Sequence, residues 1–490
     1  MTRLSIFAAA YEAPDRLALM TESARYTYAE LAALTLARAA ALQRFRGPVL
    51  LQPQLDVDSL LWLYAASATG TPFVALHARA TARERAAAQA LTGAQDPPPP
   101  DTAAPPLVNE REIDPESPYS LLLTSGSTGA PKITVLSRRA VLASAAASVG
   151  NLGLHDDERW QLCLPLAHVG GLAIVVRMLV ARRTVVLFEP GSAGLLARAG
   201  DLARQIHEHR VTLVSLVPTL LERMMRDGFS SPPALRAVLL GGAGCSSDLA
   251  ERSRQAGLPL LTSYGLTETG SQIAARRYTE RHSILPQFSG CASSGHALDG
   301  VEIKIVGGRI AVRTAALFSG YVGTGAVAVG GVGTGGVGTG GVGTGGVGTH
   351  GAGTTQPALD ADGWFLTSDR GELGPQGELY VLGRTDIVIV TGGENVDPEE
   401  VERELRMLPE VRDACVFGVP SVEFGQRVVA AVVPAAGIPP FELEQLTAQL
   451  RSRLARFKLP RSLVVANELP CTASGKLDRP SCADRFGSLC

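Results

Sequence analysis

The run from Thr124 to Lys132, Thr-Ser-Gly-Ser-Thr-Gly-Ala-Pro-Lys, combines four hydroxyl side chains, two glycines and one lysine. It directly follows an apolar segment, Tyr119 to Leu123, which is typical of a buried strand. Such a loop offers backbone N–H groups, hydroxyl donors and a cation to a polyphosphate. We therefore interpret it as a phosphate-binding loop for a nucleoside triphosphate, with these candidate residues: Thr124, Ser125, Gly126, Ser127, Thr128, Gly129 and Lys132.

The spacing of this loop differs from that of the P-loop nucleotidases. Gly126 and Gly129 are separated by two residues, and Lys132 follows a proline rather than a glycine. The alternative interpretation is a Ser/Gly-rich surface turn. We favour the phosphate loop, because surface turns seldom follow a fully apolar strand and close on Pro-Lys.

Composition limits the class of protein. The chain has 490 residues, of which 46% are hydrophobic and 19% charged, enough for more than one globular domain. A net charge of −2 does not favour binding to nucleic acid or to an acidic membrane. Seven cysteines without a CxxC pair fit a reducing cytoplasm. The longest apolar run, Gly170 to Val180, is interrupted by Arg177, so we expect no membrane span.

Helical and strand-like segments alternate through the first three-fifths of the chain, which predicts an α/β fold of parallel or mixed sheets layered with helices. Residues 384–490 change to a small α+β pattern, so we expect domains at 1–383 and 384–490. Residues 330–349 repeat Gly-Gly-Val-Gly-Thr four times, and we interpret the region of about 322–355 as an insertion in a surface loop. The Pro-rich segment 95–106 is predicted to be a linker.

Further motifs follow the phosphate loop in a fixed order. They are Gly241-Gly242-Ala243, Tyr264-Gly265-Leu266-Thr267-Glu268-Thr269, Trp364 to Asp369, Gly383-Arg384-Thr385-Asp386, Gly392-Gly393-Glu394-Asn395 and Ser474-Gly475-Lys476. As an ordered set this resembles the adenylate-forming superfamily of acyl- and aryl-CoA ligases, peptide-synthetase adenylation domains and luciferases. The resemblance extends from about residue 20 to 480. It implies a large N-terminal domain with a small β region and a small mobile C-terminal domain.

The resemblance also implies a reaction. A carboxylate attacks the α-phosphate of ATP, and a thiol, that of coenzyme A, then displaces AMP. Glu268 is matched to the Mg²⁺ ligand, Thr267 to a contact of the α-phosphate, and Asp369 with Arg384 to the ribose. The segment Gly241, Gly242 and Ala243, together with Tyr264, is matched to the neighbours of adenine.

In this superfamily a lysine on the C-terminal domain bridges the carboxylate and the α-phosphate, and Lys476 is matched to it. A lone lysine is by default an exposed side chain; the order of the motifs favours the catalytic role. Asp386 is matched to the hinge on which the small domain rotates between half-reactions; the less favoured alternative is the cap of a helix or strand. Gly393 would lie on the face that the rotation brings to the thiol tunnel.

The acid pocket carries a narrower resemblance. The segment Leu164 to Leu172, which contains His168 and Gly170, looks like that of the o-succinylbenzoate–CoA ligases of menaquinone biosynthesis, and so do Arg177 and Ser215 in their contexts. Their substrate carries a second carboxylate, which a buried cation would attract. A structurally paired arginine is the alternative for Arg177. Gly170 departs from relatives that carry serine there.

Three alternatives remain open. The chain could be a CoA ligase for a simple benzoate- or anthranilate-like acid, or a stand-alone adenylation enzyme that loads a carrier protein. It could also be a non-catalytic nucleotide-binding protein whose glycine repeat is the functional part. Homodimers are common among such ligases, so we expect a homodimer.

Overall fold

The computed structural model describes residues 4–102, 113–124, 132–190, 195–288, 291–322, 354–355, 359–391, 394–421, 424–438, 442–472 and 475–489. Within this part the helices are α1 (Ile6–Glu12), α2 (Tyr28–Gln43), α3 (Val57–Thr69), α4 (Ala82–Thr92), α5 (Arg138–Leu152), α6 (Val169–Ala181), α7 (Ala199–Glu208), α8 (Pro218–Arg226), α9 (Ser247–Gln255), α10 (Pro398–Arg406), α11 (Leu443–Leu450) and α12 (Arg479–Phe486).

The strands of the same residues are β1 (Leu17–Met20), β2 (Arg25–Thr27), β3 (Val49–Leu51), β4 (Phe73–Ala75), β5 (Pro118–Thr124), β6 (Lys132–Ser137), β7 (Arg159–Leu162), β8 (Thr184–Leu187), β9 (Leu213–Leu216), β10 (Ala237–Leu240), β11 (Leu260–Leu266), β12 (Ser271–Ala275), β13 (Gln287–Phe288), β14 (Cys291–Ala292), β15 (His296–Ala297), β16 (Val301–Val306), β17 (Arg309–Thr314), β18 (Gly320–Val322), β19 (Thr354–Thr355), β20 (Phe365–Leu373), β21 (Leu379–Arg384), β22 (Ile389–Thr391), β23 (Glu394–Val396), β24 (Val411–Ser421), β25 (Gly425–Pro434) and β26 (Ser462–Val465).

Two sheets form the centre of the N-terminal part. One has the strand order β15-β12-β11-β10-β9-β7-β8-β1-β2, and the other has the order β19-β18-β6-β5-β4-β3. Strands β7 to β11 in the first sheet pair in parallel, as the alternation of strands and helices predicts. A large core of Leu, Val, Ile and Ala side chains packs helices between the sheets, with Trp160 as its largest fully buried side chain. The predicted α/β class is confirmed.

Two further sheets follow. Strands β16-β17-β20-β21 form an antiparallel sheet, which corresponds to the expected small β region. In the C-terminal part, β23-β22-β25-β24 form a sheet to which β26 adds in parallel. Helices α10 and α11 cover one side of this sheet in one apolar cluster, while α12 packs in another. The predicted α+β pattern after residue 384 agrees with this sheet and the helices that pack on it.

Local signals set several element ends. Thr27 and Glu30 form a reciprocal capping box that starts α2, and Thr81 and Glu84 do the same for α4. The sequence pattern also predicts a short strand at 258–262 and a helix at 442–455, and the structure corrects both bounds. The strand expected at 258–262 runs on to Leu266, because β12 supplies an antiparallel partner for its second half. The helix expected at 442–455 ends at Leu450.

Other expectations fall partly or wholly outside the described residues. The Gly-Gly-Val-Gly-Thr repeats at 330–349 lie outside them, as do the last four residues, 103–106, of the predicted linker 95–106. Among the helices that the structure does describe, none combines the length and the apolar character needed to cross a bilayer.

Candidate active site

The predicted phosphate loop joins two antiparallel strands, β5 and β6. Thr124 ends β5 and pairs with Lys132, the first residue of β6, so the two ends of the loop lie side by side. The side chain of Thr124 and residues 125–131 lie outside the described part, and with them the candidates Ser125, Gly126, Ser127, Thr128 and Gly129. Lys132 Nζ lies 5.2 Å from the ring centroid of Tyr321, within the range of a cation–π interaction.

Glu268 lies in a 3-10 turn, Thr267–Thr269, directly after β11. The amide of Phe318 donates to the Glu268 carbonyl at 2.8 Å, which fixes the turn, and Thr267 is half-buried beside it. The Tyr321 hydroxyl donates to Glu268 Oε1 at 2.7 Å. No group of three metal-ligating side chains occurs among the described residues. A single carboxylate fits Mg²⁺, which completes its shell with water and substrate phosphates.

Tyr321 is a residue that sequence reasoning missed. It lies on β18 opposite Thr134 of β6, and its ring packs edge-on against Phe318 at 4.8 Å between centroids. Burial, and next the charge of Glu268, raises the pKa of the Tyr321 hydroxyl, so it remains a donor. Tyr321 thus links Glu268 to Lys132. The available signal was a lone aromatic residue just before the glycine-rich segment.

Asp369 and Arg384 come together because β20 and β21 pair at exactly these residues. Arg384 Nη1 lies 3.2 Å from Asp369 Oδ1, and the Tyr264 hydroxyl donates to Asp369 Oδ2. Burial, then the charge of Asp369, raises the pKa of Tyr264 well above its ordinary value. The predicted ribose pair and Tyr264 therefore form one hydrogen-bonded group.

Gly241, Gly242 and Ala243 follow β10, as the motif predicts, and Lys476 of the C-terminal part reaches this backbone. Gly242 has a φ of +79°, and an ideal Cβ on it would lie 2.9 Å from Lys476 Cε. The cleft lowers the pKa of Lys476 through burial and the charge of Arg384, while Asp369 acts in the opposite direction. Lys476 itself still meets solvent at the edge of the cleft.

The loop that carries Lys476 is fixed from both sides. Within the loop, the Lys476 amide donates to Thr472 Oγ1 at 3.1 Å, and the Gly475 amide donates to the Thr472 carbonyl at 2.9 Å. From the N-terminal part, the hydroxyl of Thr219 donates to the Gly475 carbonyl. Sequence analysis did not single out Thr219 as a contact of this loop.

His168 is the N-terminal cap of α6, and its ring lies 5.8 Å from that of His77. Burial, the charge of Lys476 and then His77 lower the pKa of His168 to about 4. The ring is therefore neutral at physiological pH. The charge of Lys476 thus acts on the His168 ring, and the catalytic and acid-pocket roles of the two residues stay predictions. His77 was missed, since it follows β4, far away in the sequence.

Arg177 is 2% exposed on α6 and has no acidic partner among the described residues. Its Nη2 donates to Ser271 Oγ at 3.1 Å, its Nε has no hydrogen-bond partner, and its guanidinium lies 5.4 Å from the Trp160 ring centroid. Burial lowers the pKa of Arg177 to about 9. Trp160 Nε1 donates to Ser215 Oγ at 3.1 Å, so Trp160 joins Arg177 to Ser215.

A small cavity of about 10 Å³, no larger than one water molecule, lies between α5 and α6; it borders Arg177 and is lined mainly by apolar side chains. Gly170, in the first turn of α6, is half-buried with Leu164 beside it, and an ideal Cβ would lie 3.3 Å from that side chain. At Gly171 a Cβ would lie 2.4 Å from the Pro165 carbonyl oxygen, which only glycine avoids. The helix therefore approaches the preceding loop closely at this point.

Two predicted positions are described only in part. Asp386 lies in a 3-10 turn, Thr385–Ile387, between β21 and β22, and its side chain is outside the described residues. Gly393 is also outside them. The hinge and thiol-face roles of these residues stay predictions.

Comparison with known proteins gives two family matches. The AMP-binding enzyme family matches residues 91–322, and the C-terminal domain of AMP-binding enzymes matches residues 400–476. A 2-succinylbenzoate–CoA ligase of Bacillus pumilus is 32% identical over 76% of this chain and 69% of its own length. That of Bacillus subtilis is 32% identical over 76% of this chain and 70% of its own.

Solved structures give the same result. The o-succinylbenzoate CoA synthetase of Bacillus subtilis in complex with its acyl-adenylate intermediate is 27% identical, with a TM-score of 0.77 over 97% of this chain and 96% of that one. The same enzyme with ATP and magnesium is 27% identical, with a TM-score of 0.79 over 98% and 99%. This chain therefore belongs to the adenylate-forming family of AMP-binding enzymes and resembles its o-succinylbenzoate–CoA ligases.

Proposed function

We propose that this protein is an AMP-forming acid–CoA ligase that activates o-succinylbenzoate, as required in menaquinone biosynthesis. In the first step the carboxylate attacks the α-phosphate of ATP, which forms the acyl-adenylate and releases pyrophosphate. In the second, the thiol of coenzyme A attacks the acyl carbon, and AMP and a proton leave. The observation that carries the choice of acid is Arg177, a buried cation without a carboxylate partner in the described part of the chain.

The first step brings an anion against a polyanion, so charge must be neutralised. Lys132 and the phosphate loop would hold the β- and γ-phosphates, and Thr267 the α-phosphate. Glu268, oriented by Tyr321, would hold the Mg²⁺ ion, which neutralises phosphate charge when bound. Lys476 would bridge the carboxylate and the α-phosphate from its position against Gly242.

The nucleoside would lie between the other predicted residues. Asp369 would accept hydrogen bonds from the ribose hydroxyls, with Arg384 beside it. The backbone of Gly241, Gly242 and Ala243, together with the ring of Tyr264, would flank the adenine. The direct hydrogen bond between Tyr264 and Asp369 supports one continuous nucleoside site.

The acid would lie along the start of α6. His168 and Gly170 would line its aromatic end, and the neutral state of His168 avoids a second cation competing with Lys476 for the reacting carboxylate. Arg177 and Ser215, joined through Trp160, would meet the succinyl carboxylate. Arg177 has an N–H without a hydrogen-bond partner in largely apolar surroundings. It therefore suits the second carboxylate of o-succinylbenzoate and does not suit the apolar chain of a fatty acid.

A panel of acids in a pyrophosphate-release assay tests the proposal. We expect o-succinylbenzoate to be the best substrate, with benzoate and anthranilate well behind. Equal turnover of acids with and without the second carboxylate would favour the simple aryl-acid ligase. Lys476→Ala should lower adenylation by about 10²–10³-fold, as loss of one oxyanion donor does. It should leave thioester formation from supplied adenylate largely intact.

Two finer points belong to the same proposal. Coenzyme A rather than a carrier protein is the expected acceptor, and transfer from the adenylate to each of the two separates them. The homodimer and the cytoplasmic location stay predictions, which light scattering and cell fractionation can check. Removal of residues 330–349 should leave activity in place if the repeat has no part in catalysis.

A further inference from the structure

The corner between β9 and α8 forms a seat for the loop that carries Lys476. Val217 precedes the helix, and its Cγ1 lies 3.4 Å from the ideal Cβ position of Gly242, the same position that Lys476 Cε approaches to 2.9 Å. Two residues later, Thr219 lies in the first turn of α8 and is half-buried. Val217, Gly242 and Thr219 thus surround the lysine loop on the N-terminal side.

Within this seat, one hydrogen bond is specific to the loop. The Thr219 hydroxyl donates to the carbonyl of Gly475, the residue directly before Lys476. Gly475 is buried, with a φ of +81°, and its amide is held by the Thr472 carbonyl at 2.9 Å. The peptide unit before Lys476 is therefore fixed on one side by its own loop and on the other by Thr219.

This contact can exist only while Lys476 lies in the cleft, because Thr219 and Gly475 belong to different parts of the chain. Resting on the proposed function, we propose that Thr219 is a positioning residue for the first half-reaction alone. Its hydroxyl holds the Gly475 carbonyl and thereby keeps Lys476 at the adenylating position.

The role predicts a split between the two half-reactions. Thr219→Val keeps the shape of the side chain and removes the donor. We expect it to lower the rate of adenylation about 3- to 10-fold, the usual effect of one neutral hydrogen bond, with the KM for ATP unchanged. Thioester formation from supplied adenylate should proceed at the normal rate or faster. Thr219→Ser, which retains the hydroxyl, should restore adenylation.

A second measurement does not depend on activity. Trypsin needs an extended segment on both sides of the cut bond, so cleavage after Lys476 requires its loop to detach from Thr219. Thr219→Val should therefore accelerate that cut about 3- to 10-fold, and Thr219→Ser should not. Cleavage after Lys458, in the same part of the chain, serves as the internal reference. Thr219→Ala provides a second donor-free variant should the valine disturb folding.

The outcomes are distinct. Unchanged adenylation together with unchanged cleavage after Lys476 overturns the proposal. If Thr219→Val slows both half-reactions equally and Thr219→Ser does not restore them, Thr219 has only a structural role and the proposal is wrong. If the wild type releases no pyrophosphate with any acid, yet the donor-free variants accelerate cleavage after Lys476, the positioning role stands and the proposed function fails.

Discussion

Lys476 lies against the bare backbone of Gly242: an ideal Cβ there would be 2.9 Å from Lys476 Cε and 3.4 Å from Nζ. The two residues are separated by most of the second half of the chain, and the φ of +79° at Gly242 further disfavours any side chain. The absence of a side chain at this position therefore lets the flexible end of Lys476 lie directly against the backbone, and a Cβ would require it to shift.

Gly242→Ala should impair adenylation selectively. The added methyl would meet Lys476 in its inserted position, so we expect the pyrophosphate-forming step to fall at least about tenfold, towards the loss expected on removing one oxyanion donor. Gly244→Ala is the matched control, since an ideal Cβ at Gly244 has nothing within 4 Å. Stopped-flow pyrophosphate release measures the effect. Equal activity of the two variants would contradict the contact.

Tyr321→Phe should weaken the use of magnesium. The variant keeps the ring beside Lys132 and removes the hydroxyl that donates to Glu268. A hydrogen bond to a charged group contributes about 1.5–3 kcal/mol, so the Mg²⁺ concentration for half-maximal adenylation should rise roughly tenfold or more.

The Mg²⁺ dependence separates this role from a structural one. Tyr11→Phe, at a side chain that is 90% exposed, is the control and should behave as wild type. In a double-mutant cycle with Glu268→Gln, the two effects should not add. Additive losses would mean that Tyr321 does not act through Glu268.

Arg177→Gln should discriminate between acids. With o-succinylbenzoate, kcat/KM should fall about 10- to 100-fold, because a charge-assisted contact is lost. With benzoate it should change little. The kcat/KM of Arg177→Lys with o-succinylbenzoate should lie between those of the wild type and Arg177→Gln. Lysine keeps the positive charge but lacks the parallel N–H donors of the guanidinium. The exposed Arg83→Gln serves as the control.

Stability gives a second view of Arg177. Replacing a buried, unpaired cation with Arg177→Met should leave the thermal midpoint unchanged or raise it. A structurally paired arginine would instead lower the midpoint on removal. A clear loss of stability, together with equal kinetic losses for both acids, would contradict the substrate role.

His168 should titrate far below an ordinary histidine. Its pKa is lowered from 6.5 to about 4, so between these values the unfolded chain binds more protons than the native one. The free energy of unfolding should therefore fall as the pH drops from 6.5 towards 4, and His168→Gln should lessen that fall. Histidine NMR titration, assigned with this variant, gives the pKa directly. His77→Gln should raise the pKa of His168, because it removes the smallest of the three effects that lower that pKa.

Sequence alone could single out residues where one short segment carries the proposed chemistry. Asp369, Arg384 and Lys476 each stand in a recognisable motif, and the structure brings them into one cleft. The limits of β11 were predicted less well, because the second half of that strand depends on β12, a partner that no local pattern indicates.

The missed residues share a different property. Tyr321, His77, Trp160 and Thr219 each act through a residue that is distant in sequence, and strand pairing or domain contact alone brings the partners together. Each of these side chains is also ordinary in its own segment. Reasoning from composition and spacing therefore had no physical basis on which to select them.

Strands β18 and β19 carry one more consequence. Tyr321 pairs with Thr355 and Val322 with Thr354, so the chain leaves the sheet edge and returns to it at adjoining positions. The distance that the intervening segment must span is set by these strand ends and not by the number of Gly-Gly-Val-Gly-Thr units. A change in that number therefore need not alter the register of Tyr321 in the sheet.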